Sequence, residues 1–289
     1  MTAETCSTAS VRADEETVGS APTGVAWVCL EQSGAWGPKA FTSSHLDPRI
    51  GKGFEDAASA LDIRPQLIRT PGRHPDAGGA RRVLVAYTEP GASWLLEGEV
   101  KDPQRILDLD FARIAAGTPP DWPELTPVNR PVLLVCTHAR RDVCCATLGR
   151  DVAARAAEAH PGRVWEASHL SGHRFAATTA LLPSGNLHGR VLDGAVVLDA
   201  ADNGLLLRSG WRGRSTWDRG GQVAESLIRE REGIWETDAV TVAPSGSNWE
   251  VSVGDRSWIV QVSEHTDGMA PQSCGKAAEP VRRYTAAVQ

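Results

Sequence analysis

The stretch that decides the fold runs from residue 131 to residue 167 and reads PVLLVCTHARRDVCCATLGRDVAARAAEAHPGRVWEA. Its apolar run at 131–136 is typical of a buried strand. Alanines and other apolar residues at helical spacing predict a helix over 146–160, which Pro161 and Gly162 end. Residues 164–167 predict the next strand. The stretch is therefore a strand–helix–strand unit, and we expect its two strands to lie parallel and adjacent.

The pattern continues on both sides of this unit. Strands are predicted at 175–182 and 187–191 with a hairpin turn between them, and a helix is predicted at 223–231. This β-α-β-β-β-α order is that of a thioredoxin-like domain. Upstream, the signals over residues 21–115 give a β-α-β-β-β pattern. We therefore predict an α/β fold of two thioredoxin-like halves with a small C-terminal β extension.

Changes in composition divide the chain into five segments. They are a disordered tail at 1–20, an N-terminal α/β half at 21–116, a Pro-rich linker at 117–129, a second thioredoxin-like half at 130–232 and the C-terminal β extension at 233–289.

Length, charge and hydropathy exclude several classes of protein. The chain of 289 residues has a formal net charge of -6, which argues against nucleic-acid binding because phosphate contacts need a basic face. No run approaches the ~18 apolar residues that a membrane span needs. The first 20 residues lack the basic and apolar regions of a signal peptide. We therefore expect a cytoplasmic protein, where six cysteines favour metal or redox chemistry over disulfides.

Thiols and imidazoles cluster around the deciding stretch. Cys136 ends its first strand, Cys144 and Cys145 directly precede its helix, and His169 and His173 follow its second strand. Because ligand sites gather at the carboxyl ends of strands, we expect these side chains to meet. Two Cys and two His suit zinc, but zinc sites usually have the spacing C-x2–4-C, and eight residues separate the first pair here. A vicinal thiol pair is another reading, although thioredoxin-type catalysis uses C-x-x-C, which this chain lacks.

Four segments resemble the sucrase/ferredoxin-like family: residues 27–40, 136–150, 165–191 and 273–275. The ferredoxin half of that family is a thioredoxin-like [2Fe-2S] domain, which the resemblance assigns to residues 130–232. It implies a [2Fe-2S] cluster bound by two Cys and two His. The implied ligands are Cys136, Cys145, His169 and His173, with Cys144 as the alternative to Cys145.

A mixed ligand set of this kind implies a one-electron carrier. Two His in place of two Cys raise the reduction potential, and an imidazole N–H that reaches solvent makes it depend on pH. No flavin or nicotinamide motif is present, so the resemblance also implies a redox partner protein such as a separate reductase. The alternatives are a zinc-stabilised Cys2His2 binding protein and a thiol-based redox enzyme.

Hydrolase activity has no support in the residues. No paired carboxylates stand in a glycosidase-like motif, and the chain lacks a G-x-S-x-G elbow, a P-loop and a GxGxxG segment. We therefore expect an electron-transfer protein, not an enzyme.

Among the other cysteines, Cys29 is predicted to be a buried apolar residue and Cys6 to be inert in the tail. Cys274 is predicted either to pack near the cluster or to be an unrelated thiol.

Overall fold

Ten strands form one mixed sheet that runs through both predicted halves of the chain. The computed structural model describes residues 4–72 and 79–289. In chain order the strands of this sheet are β1 (Ala26–Glu31), β2 (Ile63–Arg69), β3 (Arg81–Tyr87), β4 (Trp94–Val100), β5 (Leu125–Pro127), β6 (Val132–Cys136), β7 (Val164–Ala167), β8 (Thr179–Leu182), β9 (Asn186–His188) and β10 (Trp211–Arg214).

Helices and a second sheet complete the described fold. The helices are α1 (Cys6–Arg12), α2 (Ala40–Ser43), α3 (Pro48–Ser59), α4 (Phe111–Ala115), α5 (Val143–Ala159), α6 (Ala195–Asp202) and α7 (Arg219–Glu232), with 3₁₀ turns at Pro103–Asp108 and His173–Phe175. An antiparallel sheet is formed by β11 (Thr241–Ser245), β12 (Asn248–Val253), β13 (Arg256–Pro271) and β14 (Ala278–Val288).

The two halves of the large sheet repeat one strand order. The full order is β10-β9-β8-β6-β7-β2-β1-β3-β4-β5. In the first half, β1 is parallel to β2 and antiparallel to β3, and β3 pairs with β4. In the second half, β6 is parallel to β7 and antiparallel to β8, and β8 pairs with β9. The α/β class is therefore confirmed, whereas the thioredoxin-like identity of each half stays a prediction.

The halves meet at the carboxyl ends of β2 and β7. These strands pair antiparallel only at their last residues, with Ile68 opposite Ala167 and Arg69 opposite Glu166. Each half therefore points the loops that follow its parallel strands toward the other half. This arrangement encloses the site described below.

The Pro-rich segment is a structured part of the sheet over its last residues. Leu125–Pro127 form β5, which pairs with β4 at the outer edge of the sheet, and Trp122 is buried. The prediction of a linker at 117–129 is wrong at these residues. An edge strand tolerates Pro127 because its outward side needs no N–H donor.

The predicted disorder of the tail is wrong for residues 6–12, which form α1. The side chain of Thr5 caps this helix by accepting a hydrogen bond from the N–H of Thr8 at 3.2 Å. Cys6 is fully buried, and Arg190 donates hydrogen bonds to the hydroxyl of Ser10 at 3.1 Å and to the backbone oxygen of Glu15 at 2.7 Å. The composition of the segment does not predict this helix, because the contacts that hold it come from residues that are distant in the sequence.

The C-terminal β extension packs against α7. Ala224 and Ile228 of that helix form a buried cluster with Val240, Val251 and Val260. Within residues 4–72 and 79–289, no helix combines the length and apolar character that a membrane span requires.

Candidate metal centre

Three of the predicted ligands meet at the carboxyl ends of β6 and β7. The side-chain ligand atoms of Cys136, Cys145 and His169 all lie within 4.8 Å of one another. Cys136 is the last residue of β6, Cys145 lies in the first turn of α5, and His169 follows β7 by two positions. The Cys136 Sγ to His169 Nδ1 distance is 4.0 Å. Pairing of parallel β6 with β7 therefore brings the two sequence motifs together, as predicted.

The first turn of α5 is fixed tightly against the end of β6. Asp142 caps the helix, and its Oδ1 accepts a hydrogen bond from the N–H of Cys144 at 2.9 Å. Gly149 permits the close approach, since a Cβ there would lie 2.1 Å from the backbone oxygen of Cys136. The positive end of the helix dipole faces the thiols and favours their thiolate form.

His173 lies beside the three-residue group. Its ring centroid is 5.1 Å from that of His169, and its Nε2 is 3.7 Å from Oδ2 of Asp142. Both ring nitrogens are buried, and neither makes a hydrogen bond of standard geometry within the described part of the chain. Burial lowers the pKa of His173, so the imidazole is neutral near pH 7. A buried neutral imidazole without such hydrogen bonds is suited to bind a metal.

The turn between the two histidines is in the left-handed region. Ser171 has φ 63° and Gly172 has φ 68°. A Cβ on Gly172 would lie 2.4 Å from a guanidinium nitrogen of Arg212. Glycine suits this position because it adopts the left-handed conformation without strain and leaves room for Arg212.

The two thiols of the group shift each other's pKa in opposite directions. A hydrogen bond from the Cys145 thiol lowers the pKa of Cys136 well below its usual value, and His169 lowers it further. The same interaction with Cys136, together with burial, raises the pKa of Cys145. These shifts favour the thiolate form at Cys136 over Cys145. Thiolate and imidazole donors suit soft and borderline metals such as zinc and iron.

A buried arginine supplies positive charge next to the thiols. Arg212 is fully buried and donates hydrogen bonds to the hydroxyl of Ser20 at 3.0 Å and to the backbone oxygen of Ser171 at 3.2 Å. Burial lowers the pKa of Arg212 to about 9, so the guanidinium stays charged at neutral pH. Its charge favours the thiolate forms of Cys136 and Cys145.

The first half of the chain holds the loop that follows Cys136. The buried His138 ring makes a 2.7 Å hydrogen bond to the backbone oxygen of Gly37, so the carbonyl fixes Nε2 as the protonated nitrogen. Thr137 donates a hydrogen bond to Glu166 at 2.8 Å, and Arg69 forms a 2.7 Å ion pair with the same carboxylate. Contacts from the first half therefore position a loop of the second.

His169 is the part of the site that reaches solvent. It is partly exposed, whereas Cys136 and Cys145 are fully buried. It lines a cavity of about 440 Å³ whose walls include Lys39, Arg64 and Arg141. Among the predicted ligands, His169 is the one that lines this cavity.

Cys144 belongs to a different group of side chains. Its Sγ lies 3.4 Å from that of Cys274 and 3.7 Å from that of Cys6, and Asp142 completes the group. The structure thus places Cys145, and not Cys144, with Cys136 and His169. Cys274, predicted either to pack near the cluster or to be an unrelated thiol, contacts Cys6, Cys144 and Asp142 and does not belong to the group of Cys136, Cys145 and His169.

Sequence reasoning missed this second group. The expectation that Cys6 is inert in a tail is wrong in its premise, because the residue is fully buried between helices. No local motif signals the group, since its three cysteines lie 130 to 268 residues apart. The residue type was the sole available signal.

A sequence model of the sucrase/ferredoxin-like family matches residues 25–217. This is more than half of the chain, so the chain belongs to that family, as the resemblance of its segments predicted. Comparison with curated proteins and with solved structures gives no match.

Proposed function

Starting from membership of the sucrase/ferredoxin-like family, we propose that the protein is a one-electron carrier. Its [2Fe-2S] cluster is held by Cys136, Cys145, His169 and His173. The observation that carries the proposal is the convergence of the first three side chains within 4.8 Å, with His173 beside them and without a hydrogen bond of standard geometry on either ring nitrogen among the described residues. A [2Fe-2S] cluster accepts and releases one electron when bound in such a site.

The donor set fits this group by charge as well as by position. Two thiolates and two neutral imidazoles balance the charge of an oxidised [2Fe-2S] core, which four thiolates would leave two units more negative. The neutral form of His173 is favoured by its burial. Replacing two Cys by His is associated with potentials of roughly -150 to +300 mV instead of about -400 mV. We therefore expect a raised potential.

The exposure of His169 supports a potential that depends on pH. Its Nδ1 faces Cys136 at 4.0 Å, while the ring borders the open cavity. An imidazole that binds through one nitrogen and reaches solvent through the other can release a proton when the site is oxidised. His169 is thus the proposed point of proton exchange.

The same exposure supports electron exchange with another protein. Cys136 and Cys145 are fully buried, so a partner that docks over the cavity reaches the site through His169. We propose a separate reductase as that partner. Lys39, Arg64 and Arg141 on the cavity wall suit a surface that carries carboxylates.

The visible spectrum and the metal content of anaerobically purified protein test the proposal. We expect brown protein with about two iron and two sulfide ions per chain, as the [2Fe-2S] stoichiometry requires. A colourless protein whose zinc is bound by two sulfur and two nitrogen atoms would establish the zinc-stabilised Cys2His2 binding protein instead. A colourless protein without metal, active in thiol–disulfide exchange, would establish the thiol-based redox enzyme.

The variant His169→Cys tests the ligand set. A thiolate in place of a neutral imidazole adds negative charge, so the potential should fall by on the order of 100 mV and lose most of its pH dependence. His265→Cys, the same exchange at an exposed histidine of β13, is the control and should leave both unchanged. An unaltered potential in His169→Cys would remove this residue from the ligand set.

A further inference from the structure

A second group of metal-binding side chains lies on the other side of the α5 N terminus. It consists of Cys6, Cys144, Cys274 and Asp142, whose ligand atoms all lie within 4.8 Å of one another. The three Sγ atoms form a triangle with sides of 3.4, 3.5 and 3.7 Å. The Cys6 Sγ lies 3.6 Å from Oδ1 of Asp142. The four residues come from α1, the start of α5 and the connection between β13 and β14.

These distances match the edges of a tetrahedral zinc site. Zinc–sulfur bonds of about 2.3 Å and tetrahedral angles place two sulfur ligands about 3.8 Å apart. A zinc–oxygen bond of about 2.1 Å places sulfur and oxygen about 3.6 Å apart. The observed sulfur triangle is slightly tighter, and the observed sulfur–oxygen edge agrees.

The surroundings of the group hold the Cys274 sulfur and the Asp142 carboxylate in place. The backbone N–H of Cys6 donates a hydrogen bond to the Cys274 Sγ at 3.3 Å. Asp142 is held by the N–H of Cys144 at 2.9 Å and by the N–H and side chain of the 273–274 turn, both at 2.8 Å. Backbone donors of this kind orient a ligand and stabilise its charged form.

Other readings explain the group less well. A disulfide joins two sulfurs at about 2.05 Å and would leave the third thiol unpaired beside a carboxylate. Apolar packing of cysteines does not account for the direct contact between the Cys6 Sγ and Asp142. The set of three sulfurs and one oxygen closes the coordination shell of a structural zinc ion.

We propose that Cys6, Cys144, Cys274 and Asp142 form a structural zinc site. On binding, the three thiols release three protons to solvent, three zinc–sulfur bonds and one zinc–oxygen bond form, and no electron is transferred. The formal charge of the loaded site equals that of the common four-cysteine zinc site. This inference does not rest on the electron-carrier function.

The location of the site gives it a structural task. Zinc here joins three segments that are far apart in sequence, and one of them carries Cys145 of the candidate metal centre. Asp142 also lies 3.7 Å from His173, so the two sites adjoin. The ion would hold α1 and the β13–β14 connection over the candidate metal centre.

Zinc and iron contents of the full-length protein test the proposal. Protein produced with both metals available should contain about one zinc ion per chain. Cys6→Ser and Cys274→Ser should each lower bound zinc by at least about fivefold, because a lost ligand opens the shell. Iron and sulfide per chain should stay as in the unmodified protein. The matched control is Cys29→Ser, a buried thiol outside both groups, which should keep its zinc.

Absence of zinc from the unmodified protein would overturn the proposal. Zinc that persists in both variants would also overturn it, as would loss of iron with zinc unchanged. X-ray absorption at the zinc edge decides the question should a variant fail to fold. We expect three sulfur neighbours at about 2.3 Å and one oxygen. Two sulfurs with two nitrogens would instead place zinc in the candidate metal centre and contradict the second site.

Discussion

The two halves of the large sheet have the same strand order and different chemistry at their strand ends. In the second half, the residues at the ends of β6 and β7 include Cys136 and His169. In the first half, Gln32 and Thr70 follow the equivalent strands β1 and β2. Repetition of a topology therefore does not repeat a site, because the ligands come from loops that the topology leaves free to vary.

The strand ends of the first half support the other half instead. Trp36 packs edge-on against His138 with ring centroids 5.9 Å apart, and Arg69 lies 4.0 Å over the Trp36 ring. Arg69 also pairs with Glu166 across the junction. One half therefore carries the candidate ligands, and the other immobilises the loop between them.

The largest effect, on iron content, is expected from replacing a buried cysteine by serine in one half and comparing it with the matched variant in the other half. Cys29 and Cys136 are both fully buried and belong to one apolar cluster. Cys136→Ser should lower iron content and visible absorption at least about tenfold, because a ligand is lost. Cys29→Ser should retain both, with circular dichroism confirming that each variant is folded. Equal iron contents in the two variants would contradict the proposal that the second half carries the ligands.

The ion pair at the junction gives the next largest effect. Arg69→Met removes the guanidinium that pairs with the buried Glu166 carboxylate, so the free energy of unfolding should fall by about 3 kcal/mol in urea titrations. Arg163→Met, which removes the more exposed pair with Asp202, should cost less than about 1 kcal/mol. A loss in Arg69→Met no greater than in Arg163→Met would mean that the halves do not depend on this contact.

The smallest effect concerns acid stability and distinguishes β9 from β4, the strands in equivalent positions. Burial lowers the pKa of His188 from 6.5 to about 4, and its Nε2 donates to the backbone oxygen of Leu207 at 2.9 Å. Between pH 6.5 and pH 4, the His188 side chain is therefore protonated in the unfolded chain and neutral in the folded chain. Stability is retained above pH 6.5 and falls by about 3 kcal/mol as the pH drops to 4.

His188→Gln keeps a donor for Leu207 and cannot titrate. Urea midpoints measured from pH 7 to pH 4 should fall less steeply in this variant than in the unmodified protein. Parallel curves for the two proteins would show that His188 takes no part in the acid response. The residues of β4, WLLEGEV, include no histidine, so the first half has no counterpart on that strand.

Much of the local structure was predictable because its signals are local. The strand at 164–167 and the hairpin turn before Asn186 agree with β7 and with the β8–β9 connection. The helix predicted from residue 146 begins at Val143, since Asp142 caps it. That shift of three residues places Cys144 and Cys145 on successive positions of one helical turn. Their side chains consequently point to different groups, which spacing alone did not resolve.

The errors fall where distant contacts outweigh composition. Residues 6–12 are mostly polar and yet form a helix that Arg190 contacts. The last residues of the predicted Pro-rich linker form an edge strand that pairs with β4. In both places the segment is ordered by a partner more than twenty residues away. Such partners are not visible in a local pattern.

The sequence by itself determined the strand–helix–strand unit, the family and a candidate ligand set of Cys136, either Cys145 or Cys144, and two histidines. These features were predictable because buried strands, helical spacing and short motifs depend on residues that are close together in the sequence. Only the tertiary structure decided that the two halves share one sheet, that Cys145 faces Cys136 and that Cys144 faces Cys6 and Cys274. The contacts of the two thiols depend on the side of the helical turn that each occupies. The shared sheet and the contacts with Cys6 and Cys274 depend on segments that are distant in the sequence and meet only in the folded chain.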